Sequence, residues 1–199
     1  MQVKVTLEVE MFSEKKAAQM AAFLLNKAGG TLHVIVLTKL LYLTERKSMA
    51  QFGLPICGDL MVSMPYGPVL SKTLDLTNGN VNSPIWDALI EAREHHLVKL
   101  HNQMDRESLS SLSDADVFAL EAVWAEFGSY EKWALVDYTH DKCEEWEDPQ
   151  GSSSPIPLKR VFRAVGMTQE AADVLAAEAS EQNRFDSIFA GEGSRVAVQ

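Results

Sequence analysis

One helical segment in the first quarter of the chain is apolar around almost its whole circumference. Thr31 can cap this helix, and the helical spacing continues to about Gln51. Its apolar residues are Val34, Ile35, Val36, Leu37, Leu40, Leu41 and Leu43. A helix that is apolar on every side must be surrounded by other elements. The sequence therefore predicts a central, buried helix around which the rest of the chain folds.

The charged residues of this helix must be either exposed to water or paired. The second half carries Glu45, Arg46 and Lys47, and we expect all three to emerge toward water. Lys39 has apolar neighbours, and a buried ammonium group is costly unless it is paired. The usual solution is a stem that carries the ammonium outward, and the less common one is an ion pair with Asp59 or Glu45. Neither arrangement indicates chemistry.

The remaining patterns predict further helices and a few short strands. Residues 1–10 alternate apolar and polar side chains, which is typical of a half-buried strand. Strands are also predicted over 60–64 and 97–104, and helices are predicted to begin at Ser13, Pro68, Ser83, Ser113, Tyr130, Pro157 and Thr168. The predicted fold class is α+β: a predominantly α-helical single domain with a small antiparallel β-sheet and a buried central helix.

Composition and charge argue against several classes of protein. The 199 residues carry a formal net charge of −10, whereas autonomous DNA or RNA binding needs clustered Lys and Arg. No apolar run approaches the roughly 20 residues that cross a bilayer, and the alternating start is unlike a secretory signal. Two cysteines, Cys57 and Cys143, do not make a disulfide framework. We therefore expect a cytoplasmic, reduced protein that binds no membrane and, on its own, no nucleic acid.

The pentapeptide at 64–68, Met-Pro-Tyr-Gly-Pro, is a candidate binding motif. Pro65 and Pro68 favour extended backbone in the residues before them, and Gly67 permits backbone angles that other residues avoid. The turn therefore holds Tyr66, with its amphipathic ring and hydroxyl group, in a fixed direction. Either Tyr66 anchors the turn onto the core, or it contacts a partner directly.

A second candidate motif runs from Thr139 and His140 to Trp146. His140 is predicted near a helix C-terminus, where the helix dipole favours the imidazolium form and Asp137 or Asp141 can pair with it. Catalysis would need a nucleophile or a metal within hydrogen-bond reach of the ring. The simpler interpretation is a buried histidine that bonds to backbone carbonyls while Trp146 covers the helix end.

Enzyme and metal chemistry are weaker interpretations of the same residues. Ligand types suited to zinc are present, but without the spacing of a structural zinc motif, in His95, His96, His101, His140, Cys57 and Cys143. Cys143 follows His140 by three residues, so a thiol–imidazole pair on one helical face is possible. No GxSxG, HExxH or phosphate-binding loop pattern is present. We predict no enzyme, no cofactor and no metal, with a small hydrolase based on His140, Cys143 or a metal as an alternative.

These separated motifs together resemble one family, the Panacea domain of SocA-like and phage-associated GepA-like antitoxins. The resemblance extends from roughly Val36 to Trp146. Its elements are the helix segment 40–43, the turn 53–59 (GLPICGD), residues 64–69, residues 124–128, Leu135 and residues 139–146. The resemblance implies a bacterial antitoxin that binds a co-encoded protein toxin and blocks it. A proteolytic adaptor, which delivers the toxin to a cellular protease, is the implied alternative.

The resemblance also suggests domain limits and residue roles. We expect an N-terminal strand extension at 1–11, the Panacea domain at 12–156, a C-terminal helical extension at 157–190 and a disordered tail at 191–199. The first strand is expected either to complete the sheet or to offer an edge to the toxin. The candidate partner-binding or motif residues are Tyr66, Gly67, Pro68, Thr139, His140 and Trp146. Among these, Gly67 and Pro68 are expected to shape the surface, Trp146 to support it, and Tyr66 and His140 to meet the partner.

Overall fold

The computed structural model describes residues 12–192, with side chains described for residues 12–181. Within that range the helices are α1 (Glu14–Lys27), α2 (Val34–Phe52), α3 (Ser71–Asn78), α4 (Pro84–Asp87), α5 (Asp114–Phe127), α6 (Lys132–Lys142), α7 (Leu158–Ala164) and α8 (Gln169–Glu192). The strands are β1 (Thr31–His33), β2 (Met61–Met64), β3 (Gly67–Leu70), β4 (Leu97–Lys99) and β5 (Ser154–Pro155). The predicted α+β fold, mostly helical with small antiparallel sheets, is confirmed.

Helix α2 is the central element, as its apolar circumference predicts. It packs against α1, α5, α6 and β3, and Leu37, Leu40 and Tyr42 in its first half are fully buried. Its start differs from the prediction, because Thr31 belongs to strand β1 and the N-cap is His33. The Nδ1 atom of His33 accepts a hydrogen bond from the backbone N–H of Ile35 at 3.1 Å. Residues 31–33 pair with β4 and therefore do not extend the helix by a further turn.

Two short antiparallel sheets flank this helix. Strand β1 pairs with β4 through Leu32 and Val98, and the second sheet has the order β3-β2-β5. The β2–β3 hairpin closes at the pair of Met64 with Gly67. The predicted strand over 97–104 is shorter in the structure, where β4 ends at Lys99.

Pro68 is part of strand β3, so the prediction that it lies in the first turn of a helix is wrong. It pairs with Ser63 across the hairpin, and helix α3 begins three residues later, at Ser71. Strand β3 is an edge strand of its sheet, the position where a residue without an N–H group is tolerated. The proline therefore marks the edge of a sheet here.

The serine caps that the sequence indicates are present in the structure. The side chain of Ser13 accepts from the backbone of Lys16, and Ser83 caps α4 in the same way. Ser113 and Asp116 form the predicted capping box at the start of α5, with a bond in each direction. These local signals need no tertiary contact, so the sequence reveals them reliably.

Two acidic residues are buried and hold the turn between α2 and β2. Glu45 is 0% exposed, so the expectation that it emerges toward water is wrong. Its carboxylate accepts hydrogen bonds from the backbone N–H groups of Ile56 and Cys57, at 2.5 and 2.7 Å. Asp59 accepts from the backbone of Thr73 at 2.7 Å and thereby caps α3 from another segment. The GLPICGD turn thus folds around carboxylates that satisfy buried amides.

Two predicted features fall partly or wholly outside the described residues. The strand predicted over 1–10 lies entirely outside them. Of the tail predicted over 191–199, residues 191 and 192 belong to helix α8, and the rest lies outside the described residues. Within the described part of the chain, no helix is both long enough and apolar enough to cross a membrane.

Candidate functional site

The β2–β3 hairpin is fixed by hydrogen bonds to the backbone on both sides of its turn. The Nε1–H group of Trp146 donates to the carbonyl oxygen of Met64 at 3.0 Å. The ammonium group of Lys39 donates to the carbonyl oxygen of Pro68 at 2.8 Å. One anchor comes from the segment after α6 and the other from the central helix. The turn residues Pro65 and Tyr66, which we call the hairpin tip, are therefore held between the central helix and the segment that follows α6.

Gly67 occupies a position that admits no side chain. Its φ angle is +92°, and a Cβ atom there would lie 2.5 Å from Oγ1 of Thr139 and 3.1 Å from Nζ of Lys39. Thr139 is fully buried, and its hydroxyl donates to the carbonyl oxygen of Val136 at 2.9 Å. The structure thus brings Gly67, Pro68 and Thr139, which are far apart in sequence, around the ammonium group of Lys39.

Tyr66 lies at the surface of the molecule. The residue is 59% exposed, and its ring meets that of Trp133 edge to face at a centroid distance of 5.8 Å. Trp133 is 51% exposed and also lies beneath the ammonium group of Lys132, 5.0 Å from its ring centroid. The hairpin and the start of α6 therefore form an exposed pair of large aromatic rings.

Sequence reasoning missed Trp133, although a signal for it exists. The buried residues of α6 are Leu135, Val136 and Thr139, which share one helical face. Trp133 does not continue that stripe, and it follows the charged residues Glu131 and Lys132. A large aromatic ring off the buried face of a helix is a candidate contact residue.

His140 supports the hairpin anchor. Its ring stacks on the ring of Trp146 at a centroid distance of 4.0 Å and an interplanar angle of 16°. Burial, and then the nearby Lys39, lower the pKa of His140 below its usual value, although Asp137 and Asp141 act in the opposite direction. Burial and Lys39 therefore outweigh the nearby charges that favour the imidazolium form. The Nε2 atom of His140 is buried without a hydrogen-bond partner among the described residues. The expected hydrogen bond from this nitrogen to a backbone carbonyl is therefore absent there.

Lys39 neither extends into water nor pairs with Asp59 or Glu45. It is 1% exposed, and burial lowers its pKa to about 7. The prediction of an outward-pointing stem is wrong because β3 covers this part of α2 and supplies the carbonyl group of Pro68. An amine that is only partly protonated near neutral pH avoids much of the cost of burying a charge.

A cavity of about 510 Å³ opens beside the hairpin, and we call it the Lys39 pocket. Its walls come from α2, the hairpin, α3 and the loop before β5. The lining residues are Val34, Ile35, Thr38, Lys39, Met64, Pro65, Tyr66, Gly67, Val69, Leu74, Asn78, Gly151, Ser152 and Ser153. The size lies within the range of ligand pockets, roughly 300 to 1,000 Å³.

A second buried polar cluster lies further along α2. The hydroxyl of Tyr42 and the guanidinium of Arg46 both donate to Oε1 of Glu145, each at 2.7 Å. Burial and the nearby Glu145 raise the pKa of the Cys143 thiol to about 12. A thiol in that state is protonated and a poor nucleophile at neutral pH. Among the described residues, no group of three or more His, Cys, Asp and Glu side chains is placed to hold a metal ion.

Comparison with known proteins connects this geometry to a family. The family model described as "Antitoxin SocA-like, Panacea domain" matches residues 37–147, which is more than half of the chain. Comparisons with curated proteins and with solved structures each found no match. The matched segment contains the hairpin, most of α2, and Thr139, His140 and Trp146. The chain therefore belongs to the SocA-like antitoxin family of Panacea domains, which gives it a role related to toxin–antitoxin systems.

Proposed function

We propose that this protein is an antitoxin that neutralises a co-encoded protein toxin by binding it directly. Membership of the antitoxin family supports the class of partner, and that family is an antitoxin-like domain rather than an enzyme family. The observation that carries the proposed binding mode is the exposed pair of Tyr66 and Trp133 on an anchored hairpin. In this proposal the pair forms the centre of the toxin-binding surface.

Several properties of the pair suit a protein interface. Tyrosine and tryptophan dominate the binding energy of protein interfaces, because they bury a large area with few rotatable bonds. A hairpin fixed through Lys39 and Trp146 loses little further conformational entropy on binding, which favours affinity. Gly67 and Pro68 set the backbone conformation beside the tip. Trp146 bonds to the backbone of Met64, and His140 stacks on Trp146.

The charge of the chain fits a protein partner better than a nucleic acid. The formal net charge is −10, so a phosphate backbone would be repelled, whereas a basic toxin would be attracted. We therefore assign the antitoxin role to protein binding and propose no autonomous recognition of an operator.

Co-expression of this chain with the neighbouring open reading frame tests the proposal. We expect the neighbour alone to arrest growth, the pair to grow normally, and the two proteins to purify as one stable complex. Rescue with loss of the neighbour from the cell would instead indicate a proteolytic adaptor. A harmless neighbour that forms no complex would contradict the proposed function.

A further inference from the structure

Four side chains that donate hydrogen bonds or carry positive charge lie together at the surface. They are His33, Arg93, His96 and Lys132, and we call them the donor cluster. The rings of His33 and His96 stack at a centroid distance of 5.6 Å and an interplanar angle of 14°. The guanidinium of Arg93 donates to Nδ1 of His96 at 3.2 Å. Burial first, and then the charges of the three other members, lower the pKa of His33, so all of them lie close to one imidazole.

Both histidines of the donor cluster present an N–H group. Nδ1 of His33 accepts from the backbone N–H of Ile35, and Nδ1 of His96 accepts from Arg93. A neutral imidazole whose Nδ1 atom accepts carries its proton on Nε2. Within residues 12–181, neither of the two Nε2–H groups has a hydrogen-bond acceptor. Each ring therefore has one donor left for a ligand.

The two charged members of the cluster also have donors left. Arg93 donates to the carbonyl oxygen of His95 at 2.7 Å, to Oδ1 of Asn78 and to His96, which uses three of the five N–H groups of a guanidinium. The ammonium group of Lys132 donates to no acceptor within residues 12–181, and neither cation forms an ion pair with a carboxylate there. A group of donors and positive charges without a counter-charge favours an anionic ligand.

The donor cluster is open to solvent. His96 is exposed, and His33, Arg93 and Lys132 are each partly exposed. A ligand in solution can therefore reach the cluster without rearrangement of the fold. An anion that binds there replaces water at the surface and is not buried in the core.

Lys132 connects the donor cluster to the exposed aromatic pair. Its ammonium group lies 5.0 Å from the ring centroid of Trp133, which contacts Tyr66, and its charge also acts on His33. In protein interfaces, aromatic rings contribute much of the binding energy, whereas charge pairs fix the register and exclude wrong partners. A free anion would leave both rings uncovered, and a nucleic acid would be repelled by the net charge of −10. A protein partner makes use of both features.

We propose that the donor cluster binds a carboxylate side chain of the partner protein, next to the place where that partner covers Tyr66 and Trp133. The carboxylate accepts hydrogen bonds from the cluster, and the charges of Arg93 and Lys132 stabilise it. The net charge of the chain attracts a basic partner as a whole, while the cluster determines where an acidic side chain of that partner lies. The choice of a protein as the source rests on the proposed function, whereas the chemistry of the cluster does not.

Two matched peptides test this assignment, acetyl-Leu-Glu-Glu-amide and acetyl-Leu-Gln-Gln-amide. They are nearly equal in size and differ by two negative charges. We titrate each into the isotope-labelled protein at pH 7 and about 50 mM salt, where screening is moderate, and follow the amide chemical shifts. The glutamate peptide should bind saturably, with a dissociation constant on the order of a few millimolar and the largest shifts near the cluster. The glutamine peptide should bind about tenfold more weakly, because it forms no charge-assisted hydrogen bond.

Substitutions within the cluster locate the binding site. Arg93→Gln and Lys132→Gln should each weaken binding of the glutamate peptide about three- to tenfold and leave the glutamine peptide nearly unchanged. Arg93→Lys keeps the positive charge and should retain most of the affinity. The thermal midpoint of unfolding of each variant shows whether it is folded, and Lys132→Gln removes no hydrogen bond within residues 12–181.

Two substitutions elsewhere remove the same kinds of charge. Arg106→Gln removes a guanidinium that pairs with Asp114 at 3.1 Å. Lys27→Gln removes an ammonium that lies 5.4 Å from the ring centroid of Phe23 and pairs with Glu121. Both change the net charge as the cluster variants do, so both should leave the affinity for the glutamate peptide within about a factor of two.

Several outcomes would overturn the assignment. These are no saturable binding of the glutamate peptide, equal binding of the glutamine peptide, and equal losses in the cluster and control variants. Tighter binding of hexathymidylate through the same residues would identify a phosphate backbone as the ligand and reject the carboxylate.

The complex with the co-encoded toxin provides the second readout. Arg93→Gln and Lys132→Gln should each weaken toxin binding about tenfold, whereas the two control variants should not. A stable complex whose affinity is unchanged by both substitutions would reject the cluster as the docking place and leave the antitoxin function standing. The peptide titrations need no toxin, so the carboxylate site and the proposed function fail separately.

Discussion

The ammonium nitrogen of Lys39 donates a hydrogen bond to the carbonyl oxygen of Pro68 at 2.8 Å, joining the first half of the buried helix to the hairpin. Both residues are buried, and the bond links strand β3 to α2, against which it packs. Burial disfavours the protonated form of Lys39 and lowers its pKa to about 7. The free energy of unfolding therefore depends on pH through this side chain.

The stability of Lys39→Met relative to the unmodified chain should depend on pH. In the unfolded chain the pKa of Lys39 returns to about 10.4, so between pH 7 and 10 the unfolded state binds more protons. The free energy of unfolding of the unmodified chain should therefore gain up to about 1.4 kcal/mol per pH unit from this residue. Urea unfolding at pH 6, 8 and 9.5 should show the difference in favour of Lys39→Met shrinking as pH rises. A difference that stays constant with pH would contradict the lowered pKa.

Gly67→Ala should be considerably more destabilising than Gly151→Ala. Both glycines have nearly the same φ angle, +92° and +90°, so both substitutions strain the backbone by about 1 kcal/mol. A Cβ at Gly151 meets nothing within 4 Å, whereas at Gly67 it would lie 2.5 Å from Oγ1 of Thr139. We expect Gly67→Ala to cost about 2 kcal/mol more in urea unfolding. Addition of Thr139→Ala should recover part of that cost, and equal costs for the two glycines would contradict the close approach.

Tyr66→Ala should weaken toxin binding without unfolding the protein. The ring is 59% exposed, so its loss should leave the thermal midpoint of unfolding nearly unchanged. An interface residue of this kind typically contributes about 2 kcal/mol, or roughly 30-fold in affinity. Phe118→Ala is the matched control, because Phe118 is 51% exposed and belongs to another edge-to-face pair, with Phe52. Equal effects of the two substitutions on calorimetrically measured affinity would contradict the assigned surface.

Arg46→Ala should destabilise the fold far more than Arg160→Ala. Arg46 bonds to Glu145, which is fully buried and would be left with an uncompensated charge, at a cost of about 3 kcal/mol. Arg160 pairs with Glu147, whose side chain is 70% exposed, and a surface pair contributes about 0 to 1 kcal/mol. Denaturant unfolding of the two variants makes the comparison directly. Similar losses would mean that water reaches Glu145 when the guanidinium is removed.

Both thiols should be unreactive in the folded protein. Cys57 and Cys143 are 1% exposed, and burial raises the pKa of each thiol, that of Cys143 to about 12. An aromatic disulfide reagent at pH 7.5 should therefore titrate almost no thiol in buffer and both thiols in urea. Rapid reaction of Cys143 in the folded protein would revive the hydrolase alternative based on His140 and Cys143.

The elements that the sequence predicts well are those with local causes. The serine caps at Ser13 and Ser83, and the capping box at Ser113, depend only on residues within one turn. The burial of α2 follows from its apolar circumference, whatever surrounds it. The place of Tyr66 at the surface was left open, since the motif alone is equally compatible with an anchor to the core.

The predictions that are wrong depend on contacts between distant segments. Pro68 begins no helix because the hairpin pairs it with Ser63. Glu45 is buried because the backbone amides of Ile56 and Cys57 return to it, and no periodicity within α2 shows this. The Lys39 pocket was missed for the same reason, as its walls come from segments between residues 34 and 153.

The two hydrogen bonds that fix the hairpin are both made to its backbone. Trp146 and Lys39 both bond to backbone carbonyl oxygens, those of Met64 and Pro68, and neither bond involves a side chain of the hairpin. These two hydrogen bonds therefore do not depend on which side chains occupy the hairpin tip. Positions 65 and 66 can therefore be varied in a library while both hydrogen bonds are kept, and under the proposed function such variants would differ in the partner that the hairpin binds.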